Sequence, residues 1–299
     1  MIAHETTGTV DEEAPPTTAD RGPVNEDGVQ LAPPAGLTAL KDALAEFWSY
    51  RELFFFFCWR DLKVRYKQTV LGASWAVLQP FLTMIVFTLL FGRLAKLPND
   101  GIPYPIFYYS GLLPWTYFST SMNQSGNSLL TNKNLVTKVY FPRMLIPGSS
   151  VMTALFDWSI ASAMLFGMMA WYGMTFSWKL LLWPVLILPM TILALGMGLL
   201  LSALNVNYRD IKHTIPFLIQ IGMFLSPVVY PTTMIPDRFK YLLVFHPVAG
   251  VIDAYRAVVA LNRPINWIGL GGATISSLIV LSIGFAYFRR TERTFADFI

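Results

Sequence analysis

The sequence predicts an all-α membrane protein of about six transmembrane helices per protomer, with an N-terminal amphipathic interfacial helix and an external re-entrant or interfacial helical hairpin. Three observations carry this reading. Hydrophobic residues make up 54% of the chain and charged residues only 13%, and the mean hydropathy is +0.49, outside the range of ordinary soluble domains. Uncharged apolar runs long enough to cross a bilayer recur along the chain. Lysine and arginine gather between those runs with a bias towards one side.

The first 35 residues have a different composition, rich in Pro, Thr, Ala, Gly and acids and without hydrophobic periodicity, so 1–35 is expected to be a disordered, acidic, cytoplasmic tail. Of the 22 basic and 18 acidic residues, one and seven fall before residue 30, which leaves 21 against 11 in the remainder. A basic membrane body suits anionic headgroups or an anionic substrate, and it is equally what any inner-membrane protein shows. The start of the chain lacks the basic n-region and apolar core of a secretory signal. The single cysteine, Cys58, excludes an internal disulfide and a Cys-based metal site.

Residues 36–69 read as an amphipathic interfacial helix and a basic cytoplasmic segment. Leu37, Leu40, Leu44, Phe47 and Trp48 recur at helical spacing, and the aromatic run Phe54 to Trp59 is too short to span and suited to headgroup depth. Arg60, Lys63 and Lys67 then form a basic stripe, either a contact with anionic lipid or a simple topology signal.

A helix rises ~1.5 Å per residue and the hydrocarbon core is ~30 Å thick, so spans are expected at about 70–92, 105–122, 146–172, 180–204, 215–231 and 267–288. Between the last two, residues 232–264 hold apolar pieces only about ten residues long, broken by His246-Pro247, Asp253 and Arg256. An external hairpin fits them better than a seventh span, and six spans return the C-terminal tail, 289–299, to the side of Arg60. Counting flanking Lys and Arg places about twelve on that side and about seven on the other, which sets both termini in the cytoplasm.

No Gly-Lys dipeptide occurs, which excludes a Walker A phosphate cradle. The histidines lack metal-ligand spacing, and neither a nucleophile elbow nor a paired-carboxylate pattern is found. No catalytic residue and no metal site are therefore assigned. Asp157 is the acid deep within a span, thin support for proton coupling and better suited to accepting hydrogen bonds from neighbouring helices. Energy for uphill movement has to come from outside the chain. Leu129, Leu130, Leu135, Val136, Val139 and Tyr140 form a short amphipathic pattern carrying Lys133 and Lys138. It suits either a helix that docks a partner or a loop that skims the membrane.

Arg60-Asp61-Leu62-Lys63-Val64-Arg65-Tyr66-Lys67, followed by Leu71-Gly72, Trp75 and Pro80, resembles the start of the first span in type-2 ABC exporter permeases of the polysaccharide family, which serve O-antigen, lipopolysaccharide O-chain or teichoic acid. The likeness continues in order through Phe141-Pro142-Arg143 with Pro147, Asp157, Asn205-Val206 with Tyr208-Arg209-Asp210-Ile211, Ser226-Pro227-Val228 with Tyr230, and Pro247 with Arg256. His246 departs from it, since the family more often has Asn before this proline. The acidic tail matches nothing shared by the family.

The resemblance implies a type-2 ABC transmembrane domain over 58–291, in a homodimer at the cell inner membrane. A separate nucleotide-binding subunit would bind ATP and Mg, with no cofactor in this chain and no nucleic-acid partner. The partners would be that ATPase, a second copy of the chain, membrane lipids and a lipid-linked glycan. The N-terminal helix and the loop after the second span would meet the ATPase, so Arg60, Lys63, Lys67, Lys133 and Lys138 are assigned to that coupling interface; Arg143 and the Arg209-Asp210 pair, beside helix ends on the same cytoplasmic border, suit either a phosphate contact there or structural pairing with a carboxylate. Tyr104, Phe107, Tyr108, Tyr109, Trp115, Tyr117 and Phe118 are assigned to the substrate path or, alternatively, to an interfacial aromatic belt. A type-2 exporter of a small lipid or drug shares this fold. A membrane glycan-processing enzyme is the rival of different class and requires clustered carboxylates, which are not found.

Overall fold

The computed structural model describes residues 45, 48–67, 74–99, 101–139, 141–208, 210–260, 263–292 and 295. The tail 1–35, the periodic stretch from Leu37 to Phe47 apart from Ala45, Leu71-Gly72, Tyr140, Arg209 and residues 293–294 and 296–299 of the C-terminal tail lie outside the described residues. The account below concerns the unit Ser49–Ile299.

α1, Arg51–Lys67, carries Glu52 in its first turn and Arg65 and Lys67 in its last, signs that complement the helix dipole. Ser74–Phe87 (α2) contains Pro80 and passes into a π-helical stretch, Thr88–Leu94. There Gly92 lies against Tyr104, whose ring would stand 3.0 Å from any Cβ added at that glycine. Tyr104–Thr131 (α3) starts at a proline-flanked N-terminus and runs 28 residues, ~42 Å. It therefore continues nine residues past Met122, where the apolar run ends. A short helix, Lys133–Lys138 (α4), precedes Leu145–Trp171 (α5). The stretch 127–143 is thus divided between the end of α3, α4 and a bend, and is not one amphipathic helix. Past a 3-10 turn at Trp178–Leu182, the chain forms Trp183–Leu186 (α6) and Leu188–Asn207 (α7).

Ile211–Leu225 (α8) spans 15 residues, ~22 Å, less than a full crossing. Ser226-Pro227 ends it, because a proline cannot donate its nitrogen to the helix. The run to Pro231 that reads as continuous in sequence is therefore a helix followed by six non-helical residues, 226–231. After a 3-10 turn at Thr232–Met234 come Asp237–Val244 (α9) and Pro247–Val259 (α10), two short helices joined at Phe245-His246, and then Trp267–Thr291 (α11).

Four of these stretches are long and apolar enough to cross a membrane: Val77–Leu94, Leu145–Trp171, Trp178–Asn207 and Trp267–Thr291. α3 has the length but carries Ser, Thr, Asn and Gln throughout its second half, and it lies at the centre, where these side chains bond to neighbours. Ser125 donates to the Pro147 carbonyl at 3.1 Å, and Tyr117 donates to Thr191 at 3.0 Å. α7 and α11 meet backbone to backbone, since a Cβ on Gly196 would stand 2.6 Å from the Leu281 backbone, and one on Gly284 would strike the Gly196 carbonyl. Small residues permit this approach where lipid gives no hydrophobic drive to helix pairing. Outward faces are apolar: on α8, Phe217, Ile221 and Phe224 are exposed and Ile215 alone is buried.

Candidate functional site

Polar groups gather in three places: at the end of the bundle that holds the α3–α5 loop, within the bundle beside α5, and at the opposite end under the hairpin.

At the loop end, α1 lies along the first half of α5. Its packed face is Phe54, Phe57, Cys58, Asp61 and Arg65. Phe57 meets Phe141 edge-on at 5.5 Å, the Cys58 thiol points at the Ser149 carbonyl, and Ser149 donates weakly to Asp61 at 3.4 Å. Burial, with the Asp61 charge second, pushes the Cys58 thiol up to about 11, so it is an inert packing group. Arg60 donates to Asp61 at 2.8 and 3.0 Å and to Asn132 at 3.0 Å, which ties α1 to the end of α3. Lys63 and Lys67 are exposed, with the Lys63 ammonium 5.5 Å over the Trp59 ring.

Lys133 and Lys138 are exposed on α4, which is anchored by buried Val136. Arg143 is turned towards the C-terminal helix: its backbone N–H donates to the Glu292 carboxylate at 3.0 Å and its guanidinium to the Glu292 carbonyl. It thereby caps the end of α11 and holds the loop to the last span. Asp210 is exposed ahead of α8, where its carbonyl accepts from His213 and Thr214. Arg209 lies outside the described residues.

Within the bundle, Asp157 accepts from the Arg65 guanidinium on one oxygen and from the Tyr66 hydroxyl on the other, while Arg65 also donates to Gln124 of α3. Asp157 lies roughly 18 Å along the α5 axis from Leu145. Its burial is tolerated because a cation and a hydroxyl satisfy it. Arg65 and Tyr66 stand in the motif that carries the resemblance but, like Gln124, are given no site role by the sequence, although the phase of Phe54, Cys58, Asp61 and Arg65 marks one helix face. The stripe of Arg60, Lys63 and Lys67 lies on another. Asp157 also walls a small crevice of about 20 Å³ with Pro80, Thr116, Thr120 and Trp158.

The aromatic residues assigned to a substrate path are core residues in this chain. Phe107, Tyr108 and Tyr109 are fully buried, Trp115, Tyr117 and Phe118 are buried, and Tyr104 is half-buried and stacked on Tyr108. Phe87 of α2 and Phe91 of the π-helical stretch that continues it cover Tyr108 at 6.3 and 6.4 Å, and Tyr109 donates to the Ala161 carbonyl at 3.2 Å. These rings face the protein interior, and Tyr117 also lies on the wall of the crevice beside Asp157.

At the hairpin end, Arg256 of α10 is 1% exposed. It donates to the carbonyls of Pro227 at 2.7 Å, Val228 at 2.5 Å and Tyr230 at 3.0 Å, and sits 4.0 Å over the Phe107 ring. Non-helical backbone in a membrane domain needs internal partners, and this one cation supplies them for the segment that follows α8. Asp253 accepts from Arg263 at 2.5 Å and from Thr232 at 3.0 Å, and Lys179 donates to the Arg263 carbonyl at 3.0 Å. Among the described residues no cluster of three His, Cys, Asp or Glu side chains suits a metal.

Apolar helices of spanning length around a partly buried ion pair, with basic groups gathered at the bundle ends, define an integral membrane domain. The chain belongs to the ABC-2 type transporter family, whose model matches residues 52–260. It is 31% identical over 258 residues to the O-antigen export system permease protein RfbA of Myxococcus xanthus, a match covering 85% of this chain and 98% of that protein. A Klebsiella pneumoniae protein of the same name is 28% identical, over 80% of this chain and 92% of its own. The polysialic acid transport protein KpsM of Escherichia coli is 25% identical, over 78% and 91%.

Proposed function

We propose that this chain is the permease subunit of an ATP-driven ABC exporter that moves a lipid-linked polysaccharide, an O-antigen, teichoic acid or similar cell-surface glycan, across the inner membrane. The observation that carries the reading is the match over 98% of a relative named as an O-antigen export permease. Nucleotide chemistry is assigned to a separate ATPase, which binds ATP and Mg. Two copies of the permease work as a homodimer, for which the exposed α8 face offers a surface.

In this reading both termini are cytoplasmic and the hairpin is external. Supporting it, Arg60, Lys133, Lys138, Arg143 and Arg289 occur together at the loop end, as the positive-inside bias asks of a cytoplasmic face. ATP binding draws two ATPase subunits together against α4 and α1. The contacts of Arg60 with Asn132 and of Arg143 with Glu292 then carry the displacement to α3 and α11 as rigid bodies. Tyr104, Phe107, Tyr108 and their neighbours contact the glycan only when α2 moves off α3, because they are packed inside the bundle, with Phe87 and Phe91 against Tyr108.

The test is deletion of the gene in its host, with the ATPase gene intact. The expected result is loss of the surface glycan and accumulation of its lipid-linked form inside. The purified chain alone is expected to hydrolyse no ATP, and its complex with the ATPase to do so. Normal surface glycan in the deletion strain, or steady hydrolysis by the contaminant-free chain, overturns the reading.

A further inference from the structure

We propose that the joint between α9 and α10 is a pH-sensitive latch, in which neutral His246 holds the start of α10 closed and protonated His246 releases it. The chemistry rests on the hinge itself; only the side of the membrane that it senses rests on the topology proposed above.

His246 is the N-cap of α10. Its backbone is extended, Pro247 opens the helix behind it, and its Nδ1 accepts the Ala249 N–H at 3.2 Å. The first N–H groups of a helix have no partner within it, so this side chain supplies a bond that the helix cannot. An imidazolium carries a proton on both nitrogens and cannot accept. Its charge would also face the positive end of the helix dipole. Protonation therefore removes the cap and adds repulsion in one step.

The joint is placed to transmit that change. On either side of it the hairpin touches α11 through backbone: a Cβ on Gly250 would strike the Gly269 carbonyl, and one on Gly272 would strike the Val244 carbonyl. Contacts this close leave no side chain to absorb a rotation at residue 246. Further along the same helix, Arg256 holds the carbonyls that follow α8. Opening at the cap thus loosens one end of a helix whose other end organises the non-helical segment that follows α8.

Burial lowers the His246 imidazole from its ordinary value near 6.5, its own backbone partly opposes this, and no charged side chain contributes to the shift. Among the described side chains of the surrounding elements, Arg238 and Tyr241 of α9 are exposed, Asp253 is paired with Arg263, and Arg256 is held by carbonyls. Lys179 donates to the Arg263 carbonyl, Tyr104, Tyr108 and Tyr109 are packed on α3, and α11 carries no titratable side chain before Tyr287. With the closed-state value depressed, the open joint takes up the proton first. Closure is complete above about pH 6.5 and is lost as pH falls below it, by up to about tenfold per pH unit. Asparagine caps without titrating, so His246→Asn keeps the bond and removes the response.

The experiment is hydrogen exchange of the full chain in lipid nanodiscs, reading the peptide over 247–252 from pH 7.5 to 5.5 after correction for intrinsic exchange. Protection in the wild type is expected to fall below about pH 6.5 by up to about tenfold per unit, and H246N is expected to show none of this fall. Three results each overturn the latch: protection independent of pH in the wild type, an equal fall in H246N, or a wild-type midpoint above about 6.5. The wild-type series decides the matter even where the variant does not fold. No export measurement enters, so failure here leaves the proposed function standing.

Discussion

Asp157, midway along α5, accepts a hydrogen bond from Arg65, a residue of the helix that precedes the first span. The side chains are 20% and 27% exposed, so the pair is partly screened and is worth less than a fully buried one. Removing either partner leaves the other charge within the bundle. Arg65→Ala and Asp157→Ala are each expected to cost about 1–3 kcal/mol, with the double variant losing less than the sum. Thermal denaturation of the four purified proteins reads this, and strict additivity would show that the two side chains do not interact.

Arg256→Lys keeps the charge but has one nitrogen where the guanidinium reaches three carbonyls. Carbonyls left in a membrane domain without donors are costly, so a loss of about 2–4 kcal/mol is expected, with faster hydrogen exchange confined to 226–231 and the hairpin. Exchange in that region matching the wild type would mean that the break after α8 is held by other contacts.

Cys58 offers a pH test. Burial disfavours its thiolate, and with the thiol raised to about 11 its alkylation is expected to be slow at pH 7.5 and to climb about tenfold per pH unit through pH 9.5. After unfolding in detergent the same thiol titrates nearer its ordinary value, and labelling at pH 7.5 is expected to rise by roughly a hundredfold. A folded-state rate that levels off by pH 9 would contradict the burial argument.

Lys133 and Lys138 are exposed, so reversing both to Glu is expected to change stability by less than about 0.5 kcal/mol. If α4 meets an acidic face of the ATPase, the double variant is expected to lose co-purification of that subunit or its stimulation at least several-fold. Normal insertion with unchanged binding and turnover would assign coupling to α1 instead.

The limits of α5 and α11 are legible in the sequence because each is a long apolar run ended by Gly, Asn or Arg, features that act within a few residues. Other elements resist such reading. α3 extends to Thr131 because Ser125 reaches the Pro147 carbonyl and Asn205 reaches the Gly126 carbonyl at 2.9 Å, bonds between helices far apart in the chain. α8 stops at the local Ser226-Pro227 break, but that the carbonyls beyond it are satisfied by Arg256, some thirty residues on, is not legible there. The basic cluster near residue 60 was visible, but its division into exposed Lys63 and Lys67 and engaged Arg60 and Arg65 depends on which face α5 covers.

By itself the sequence determined that this is a helical membrane protein without a nucleotide cradle of its own, since apolar length and the presence or absence of a short motif are local properties. It also placed Asp157 within a span and marked the break at His246-Pro247. Only the tertiary structure decided that Asp157 is neutralised by Arg65, that the aromatic residues of α3 are core, that Arg143 clasps Glu292, and that His246 caps a helix through its unprotonated nitrogen. The Asp157 and Arg143 pairings and the packing of the α3 rings join residues that chain proximity does not specify, whereas the His246 cap is local, three residues from its donor, and what the structure adds there is which ring nitrogen faces the Ala249 N–H.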